Sequence, residues 1–91
     1  LGGVTGAGKE NGAKQAVALG YTAKASGTKS LSLCFDTTAS GDNSISIGTG
    51  NTVSGNNSGA MGDPSFISGD DSYSVGNNNS ISTNNTFVII I

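Results

Sequence analysis

The chain reads as an all-β parallel solenoid, or β-roll, with coils of 14 residues. Three observations predict this: a 14-residue repeat held without insertion, a two-residue apolar alternation inside each repeat, and a turn-forming cluster after each alternating stretch. The repeat is carried by Ala16-Val17-Ala18-Leu19-Gly20, Ser30-Leu31-Ser32-Leu33-Cys34 and Ser44-Ile45-Ser46-Ile47-Gly48. It continues as Ser58-Gly59-Ala60-Met61-Gly62, Ser72-Tyr73-Ser74-Val75-Gly76 and Thr86-Phe87-Val88-Ile89-Ile90. A second series keeps the same step through Ala25-Ser26-Gly27, Ala39-Ser40-Gly41, Val53-Ser54-Gly55, Ile67-Ser68-Gly69 and Ile81-Ser82-Thr83.

The unit 41–54 shows why each element forms. Ile45 and Ile47 alternate with Ser44 and Ser46, the period of a strand with one apolar face. Gly48 closes that strand, and Thr49-Gly50-Asn51 supplies a turn. A shorter strand, Thr52-Val53-Ser54, follows and ends at Gly55. The apolar residues lack helical spacing, and the Gly and β-branched content disfavours a helix. Stacked coils place equivalent positions above one another about 4.8 Å apart. Asn43 and Asn57 therefore fall in one slot and predict a side-chain ladder. Gly27, Gly41, Gly55 and Gly69 open successive coils and are expected in turns with positive φ.

The large apolar residues predict the coil core: Val17, Leu19, Leu31, Leu33, Ile45, Ile47, Val53, Met61, Ile67, Tyr73, Val75 and Ile81. Gly59 occupies one such slot and leaves room for Met61 or Phe66. So few apolar side chains per coil offset the ordering of 14 residues poorly, which calls for more repeats, caps or an oligomer. Between the two strand apolars runs a small series, Ala18, Ser32, Ser46, Ala60 and Ser74, pointing to the opposite face. A solvent face would carry larger, charged residues; this one predicts close packing against copies of the same chain.

Composition excludes several functions. A net charge of −2 argues against non-specific nucleic-acid binding, and the lack of histidine removes imidazole catalysis and the common zinc sites. Cys34 is the sole cysteine, so there is no intrachain disulfide, and without nearby Lys or His it reads as an inert thiol. No apolar run reaches the roughly 20 residues that span a bilayer, so no membrane insertion is expected of this segment. All four lysines lie within the first 29 residues, whereas most of the acids come later, which gives a rod a basic and an acidic end.

Gly3-Val4-Thr5-Gly6-Ala7-Gly8-Lys9-Glu10 nearly matches a phosphate-binding loop, but Glu10 replaces the metal-holding hydroxyl and Asn11-Gly12 interrupt any helix. Residues 1–12 are instead expected to form an irregular first coil or cap. The sequons at Asn56, Asn78 and Asn84 are what an Asn/Ser-rich chain generates freely. Asp70, Asp71 and Asn77–Asn79 read as turn residues rather than as calcium ligands. No cofactor, metal site or catalytic constellation emerges, and no enzyme is predicted.

The unit S-[VILY]-[AS]-[LIVM]-G, joined to its -[AVI]-S-G- step, resembles the head repeats of trimeric autotransporter adhesins, the YadA-like proteins of Gram-negative bacteria. Gly59-Ala60-Met61-Gly62-Asp63-Pro64, Ser72-Tyr73-Ser74-Val75-Gly76-Asn77-Asn78-Asn79 and Asn84-Asn85-Thr86-Phe87-Val88 are especially similar. The resemblance covers residues 13–91 as a repeat array. It implies a left-handed roll, a homotrimer, and display at the bacterial surface on an outer-membrane anchor outside this segment. It further implies adhesion to host matrix proteins, host cells or other bacteria. Lys14, Lys24 and Lys29 are then the candidates for an acidic or matrix ligand. Two alternatives stand beside this: a non-binding structural spacer, and an ice-binding solenoid. The second is weakened because its stacked column reads Lys24, Thr38, Thr52, Phe66, Ser80. Cys34, Phe35 and Asp36 depart from the repeat in a turn that is elsewhere small or polar.

Overall fold

Each repeat forms one coil of a parallel β-solenoid in the computed structural model, which describes residues 15–90. The expected cap at 1–12, and Lys14, lie outside the described residues. Each of five successive coils contributes a longer strand and a two-residue strand, and the last described coil a longer strand alone, in chain order β1 (Val17–Leu19), β2 (Lys24–Ala25), β3 (Leu31–Phe35) and β4 (Thr38–Ala39). These are followed by β5 (Ile45–Thr49), β6 (Thr52–Val53), β7 (Gly59–Gly62), β8 (Phe66–Ile67), β9 (Tyr73–Gly76), β10 (Ser80–Ile81) and β11 (Phe87–Ile90). The odd-numbered strands stack into a six-stranded sheet and the even-numbered ones into a five-stranded sheet. Pairing is parallel, and Val17 aligns with Leu31, Leu31 with Ile45, and Ile45 with Gly59. The 14-residue period is thus the hydrogen-bond register itself.

The interior reverses the expected phase of the longer strands. Ala18, Ser32, Ser46, Ala60 and Ser74 are buried inside the coil, so they are not a packing face for other copies. Opposite them stand Ala25, Ala39, Val53, Ile67 and Ile81 from the short strands, also buried, as the expectation for Val53, Ile67 and Ile81 had it. Val17, Leu19, Met61, Tyr73 and Val75 point outward and are exposed, while Leu31, Leu33, Ile45 and Ile47 are half-buried on the same outer face. None of these nine forms the coil core. The reason is thickness: the molecule's shortest dimension is 12 Å. With two sheets that close, a Val or Ile on one wall leaves room for only Ala or Ser on the other. The apolar cluster of Val53, Ala60, Ile67 and Ile81 has this small-against-large composition.

Buried serines cost little when their hydroxyls find carbonyls. Ser30 Oγ donates to Gly27 O at 2.7 Å and Ser44 Oγ to Gly41 O at 2.6 Å. Ser32 and Thr37 share a 2.7 Å hydroxyl bond, and Asn79 Nδ2 donates to Ser74 Oγ at 2.7 Å. Asn51 Nδ2 donates to Ile47 O and Gly62 O at 2.7 and 3.1 Å, leaving its buried Oδ1 without a partner.

The turns also differ from expectation in one respect. Gly27, Gly41, Gly55 and Gly69 do not adopt positive φ. They are required by close approach instead: a Cβ on Gly41 would lie 2.0 Å from Gly55 O in the next coil. The left-handed position falls two residues later, at Lys29, Asn43, Asn57, Asp71 and Asn85, with φ of 54° to 58°. Asn and Asp tolerate that conformation well. Here the Asn43–Asn57 ladder forms, Nδ2 donating to Oδ1 at 3.1 Å. Beside it, Asp42, Asn56, Asp70 and Asn84 each accept a backbone N–H from the preceding coil, over 2.8–3.1 Å.

Candidate functional site

The outward face of the six-stranded sheet is the feature that the fold leaves unexplained. Two columns of side chains stand on it. One runs Val17, Leu31, Ile45, Gly59, Tyr73, Phe87, and the other Leu19, Leu33, Ile47, Met61, Val75, Ile89. Neither column contains a charge. The exposed members range from 36% at Leu19 to 67% at Phe87, an apolar surface that a soluble single chain rarely presents. Strand geometry dictates this arrangement, because alternate residues must face outward once Ala or Ser faces in.

The face is nearly uniform except at Gly59. A Cβ there would fall 2.7 Å from Tyr73 Cε2 and 2.9 Å from its Cδ2, so the ring leans over the glycine backbone. Below and beside it lies an open concavity of about 210 Å³, lined by Ile45, Ile47, Gly59, Met61, Tyr73 and Val75 among others.

The outer side of the five-stranded sheet is mostly polar. The five-stranded sheet turns outward the column Lys24, Thr38, Thr52, Phe66 and Ser80, with Phe66 60% exposed in its midst. Lys24 sits on that sheet and Lys29 at the turn into β3; both are exposed, and neither belongs to the apolar face. Asp70 is engaged in the turn ladder, and among the described residues no group of three or more His, Cys, Asp or Glu is placed to hold a metal. No helix among them is long and apolar enough to cross a membrane.

Cys34 is exposed and holds φ 94° in a column whose other members are Gly20, Gly48, Gly62, Gly76 and, at the last coil, Ile90. Phe35, the next residue, stacks on Tyr21 with ring centroids 5.5 Å apart and planes 19° apart. The two rings hold the same turn position in successive coils, a position taken by Thr49, Asp63 and Asn77 in the next three.

Sequence reasoning found the strands but missed this face. The signal for it was the strictly small series at 18, 32, 46, 60 and 74, beside larger residues at 53, 67 and 81. Complementary volumes across a thin interior identify the inward phase; apolar character alone does not. Residues 12–33 and 39–63, just over half of the chain, match the YadA head domain repeat in two copies. No curated protein matches the chain.

Proposed function

The chain belongs to the YadA head domain repeat family, a family of structural adhesin heads rather than of enzymes, and on that premise we propose that it is the head segment of a bacterial surface adhesin working as a homotrimer. The uncharged outward face of the six-stranded sheet carries the proposal. Its exposed and half-buried side chains form a contiguous apolar surface of the kind that marks protein–protein interfaces. Three copies, each wound with the left hand implied by the family, bury these faces around a common axis.

Such burial leaves the five-stranded sheet and the turn edges for contact with host matrix, a host cell-surface protein or another bacterium. Lys24 and Lys29 supply positive charge at one end of these flanks, and Lys14 precedes them in the sequence. An acidic partner suits them, while anchoring to the outer membrane belongs to other parts of such a surface protein.

Light scattering on the purified chain tests the assembly. A mass three times the single-chain 8.9 kDa is expected, and Ile47→Asp reduces it to one chain by burying an unpaired charge. A single-chain mass for the parent protein refutes the trimer. For adhesion, the trimer is expected to retain immobilised matrix protein, host cells or bacteria, and Lys14→Ala/Lys24→Ala/Lys29→Ala to lose an acidic ligand. Undiminished binding by that variant refutes the lysine assignment, and no binding to any surface leaves the segment a spacer.

A further inference from the structure

The N-x-[ST] sequons fall at Asn56, Asn78 and Asn84, and the fold treats them unequally. Asn56 and Asn84 are pegs of the turn ladder: their Oδ1 atoms accept the Asp42 and Asp70 N–H groups at 3.0 and 2.8 Å. Their third-position hydroxyls are engaged as well. Ser58 Oγ is buried and donates to Gly69 O at 2.8 Å, and Thr86 Oγ1 donates to Asn84 O at 3.1 Å. The sequon pairs an acceptor amide with a hydroxyl two residues on, and in these two the fold holds both groups for itself.

Asn78 differs on each count. It stands exposed at φ 58° in the turn between β9 and β10, and its side-chain amide makes no hydrogen bond among the described residues. Asn79, the middle residue, is buried and donates Nδ2 to Ser74 Oγ at 2.7 Å. With Asn79 anchored inward, Asn78 and Ser80 on either side of it are both exposed. Neither belongs to the apolar face of the six-stranded sheet.

A second observation lies beside this sequon. Phe66 aligns with Ser80 in the five-stranded sheet and is 60% exposed, in a column otherwise filled by Lys24, Thr38, Thr52 and Ser80. Coil packing does not call for a phenyl ring there, since hydroxyl side chains serve the same position in three other coils. Pro64, also exposed, holds the position of Asn78 one coil earlier. Coil spacing and strand rise put Phe66 about 8 Å from Asn78, a gap that one amide-linked pyranose spans. The C–H face of a hexose packs on an aromatic ring, whose negative π-face attracts the slightly positive hydrogens.

We propose that Asn78 is the acceptor for an N-linked hexose, which lies over Phe66. In the transfer, Asn78 Nδ2 bonds to the anomeric carbon of a hexose carried as its nucleoside diphosphate ester. The anomeric C–O bond breaks, the nucleoside diphosphate leaves with the bonding pair, and one amide proton passes to a base of the transferase. Nothing is oxidised or reduced. The sugar covers an exposed ring and makes that flank bulky and hydrophilic. The assignment does not depend on self-association of the chain.

Mass spectrometry of the protein isolated from the cells that display it reads the site. Chymotryptic peptides, fragmented by electron transfer, are expected to carry hexose on Asn78 and none on Asn56 or Asn84. A bare Asn78, or sugar spread over the three sequons, overturns the proposal. The part played by the fold is read with UDP-glucose and an N-glycosyltransferase that modifies free peptides of all three sequons. On the folded chain it is expected to modify Asn78 alone, and Ser80→Ala to abolish transfer with the circular dichroism unchanged. Transfer to Asn56 or Asn84 at the rate of Asn78, or no transfer to the folded chain, overturns the assignment. In the modified chain, the Phe66 ring current should move the sugar C–H proton resonances upfield, and Phe66→Ser should return them. Sugar resonances at their free positions overturn the placement over Phe66.

Discussion

Gly48→Ala isolates the demand that close coil stacking makes on the backbone. Gly48 sits at the end of β5 with φ +124°, in register with Gly62. A Cβ there would lie 2.0 Å from Gly62 O and 2.9 Å from Gly62 C, both backbone atoms with no rotamer to yield. The φ value alone costs an L-residue about 1–3 kcal/mol. Parting the coils to relieve the clash weakens neighbouring inter-coil hydrogen bonds, each worth about 1 kcal/mol net. The expected loss is about 3–5 kcal/mol, a large share of the roughly 5–15 kcal/mol that stabilises a domain. Gly50→Ala is the control: its φ is also positive, at +70°, but the nearest atom to a new Cβ is Pro64 Cγ at 3.4 Å. It should lose only the left-handed penalty of about 1–2 kcal/mol. Urea unfolding followed by circular dichroism, at one chain concentration because assembly and folding are linked, measures both. Equal losses for the two variants, or a Gly48→Ala loss under about 1 kcal/mol, would refute the reasoning.

Four further outcomes follow from the same geometry. Cys34→Gly releases a side chain from φ 94° and should stabilise the chain by about 0.5–1 kcal/mol after the extra freedom of unfolded glycine is counted; a lowered thermal midpoint contradicts it. Ile67→Ala, inside the coil, should cost about 2–4 kcal/mol in urea, and Ser46→Ile should cost about 1–3 kcal/mol by overfilling the interior; a neutral Ser46→Ile reverses the assignment of faces. Asp70→Ala takes the acceptor from Asn56 N–H at 2.9 Å and should cost about 0.5–1.5 kcal/mol, with faster amide exchange at Asn56 as the local readout.

Period, strand positions and the Asn43–Asn57 ladder were legible because stacking forces equivalent residues to share one environment, and the chain repeats whatever suits it. The inward phase was not. Ser44-Ile45-Ser46-Ile47 satisfies a two-residue alternation whichever side faces in, and the usual preference for burying Ile fails when the opposite wall is too near. The coil-opening glycines show a second limit. Gly41 looks like a turn glycine, yet its need comes from an oxygen in the next coil, a contact between residues 14 positions apart. For the site, Gly59 was read as a gap to be filled from within the chain. In the fold it is the Tyr73 ring of the next coil, on the outer face, that leans over the glycine.

The backbone hydrogen bonds between coils also set how this segment yields to force. They run along the stacking direction while the covalent chain runs around it, so a pull on the two ends loads the gaps between coils in series. Within each gap the bonds of both sheets and the Asp42, Asn56, Asp70 and Asn84 pegs share the load. A coil that lets go replaces about 4.8 Å of stacked height with about 46–50 Å of extended chain for its 14 residues. Under tension the segment therefore lengthens in steps of roughly 40–45 Å, and each step leaves the remaining stack intact, shortened by one coil.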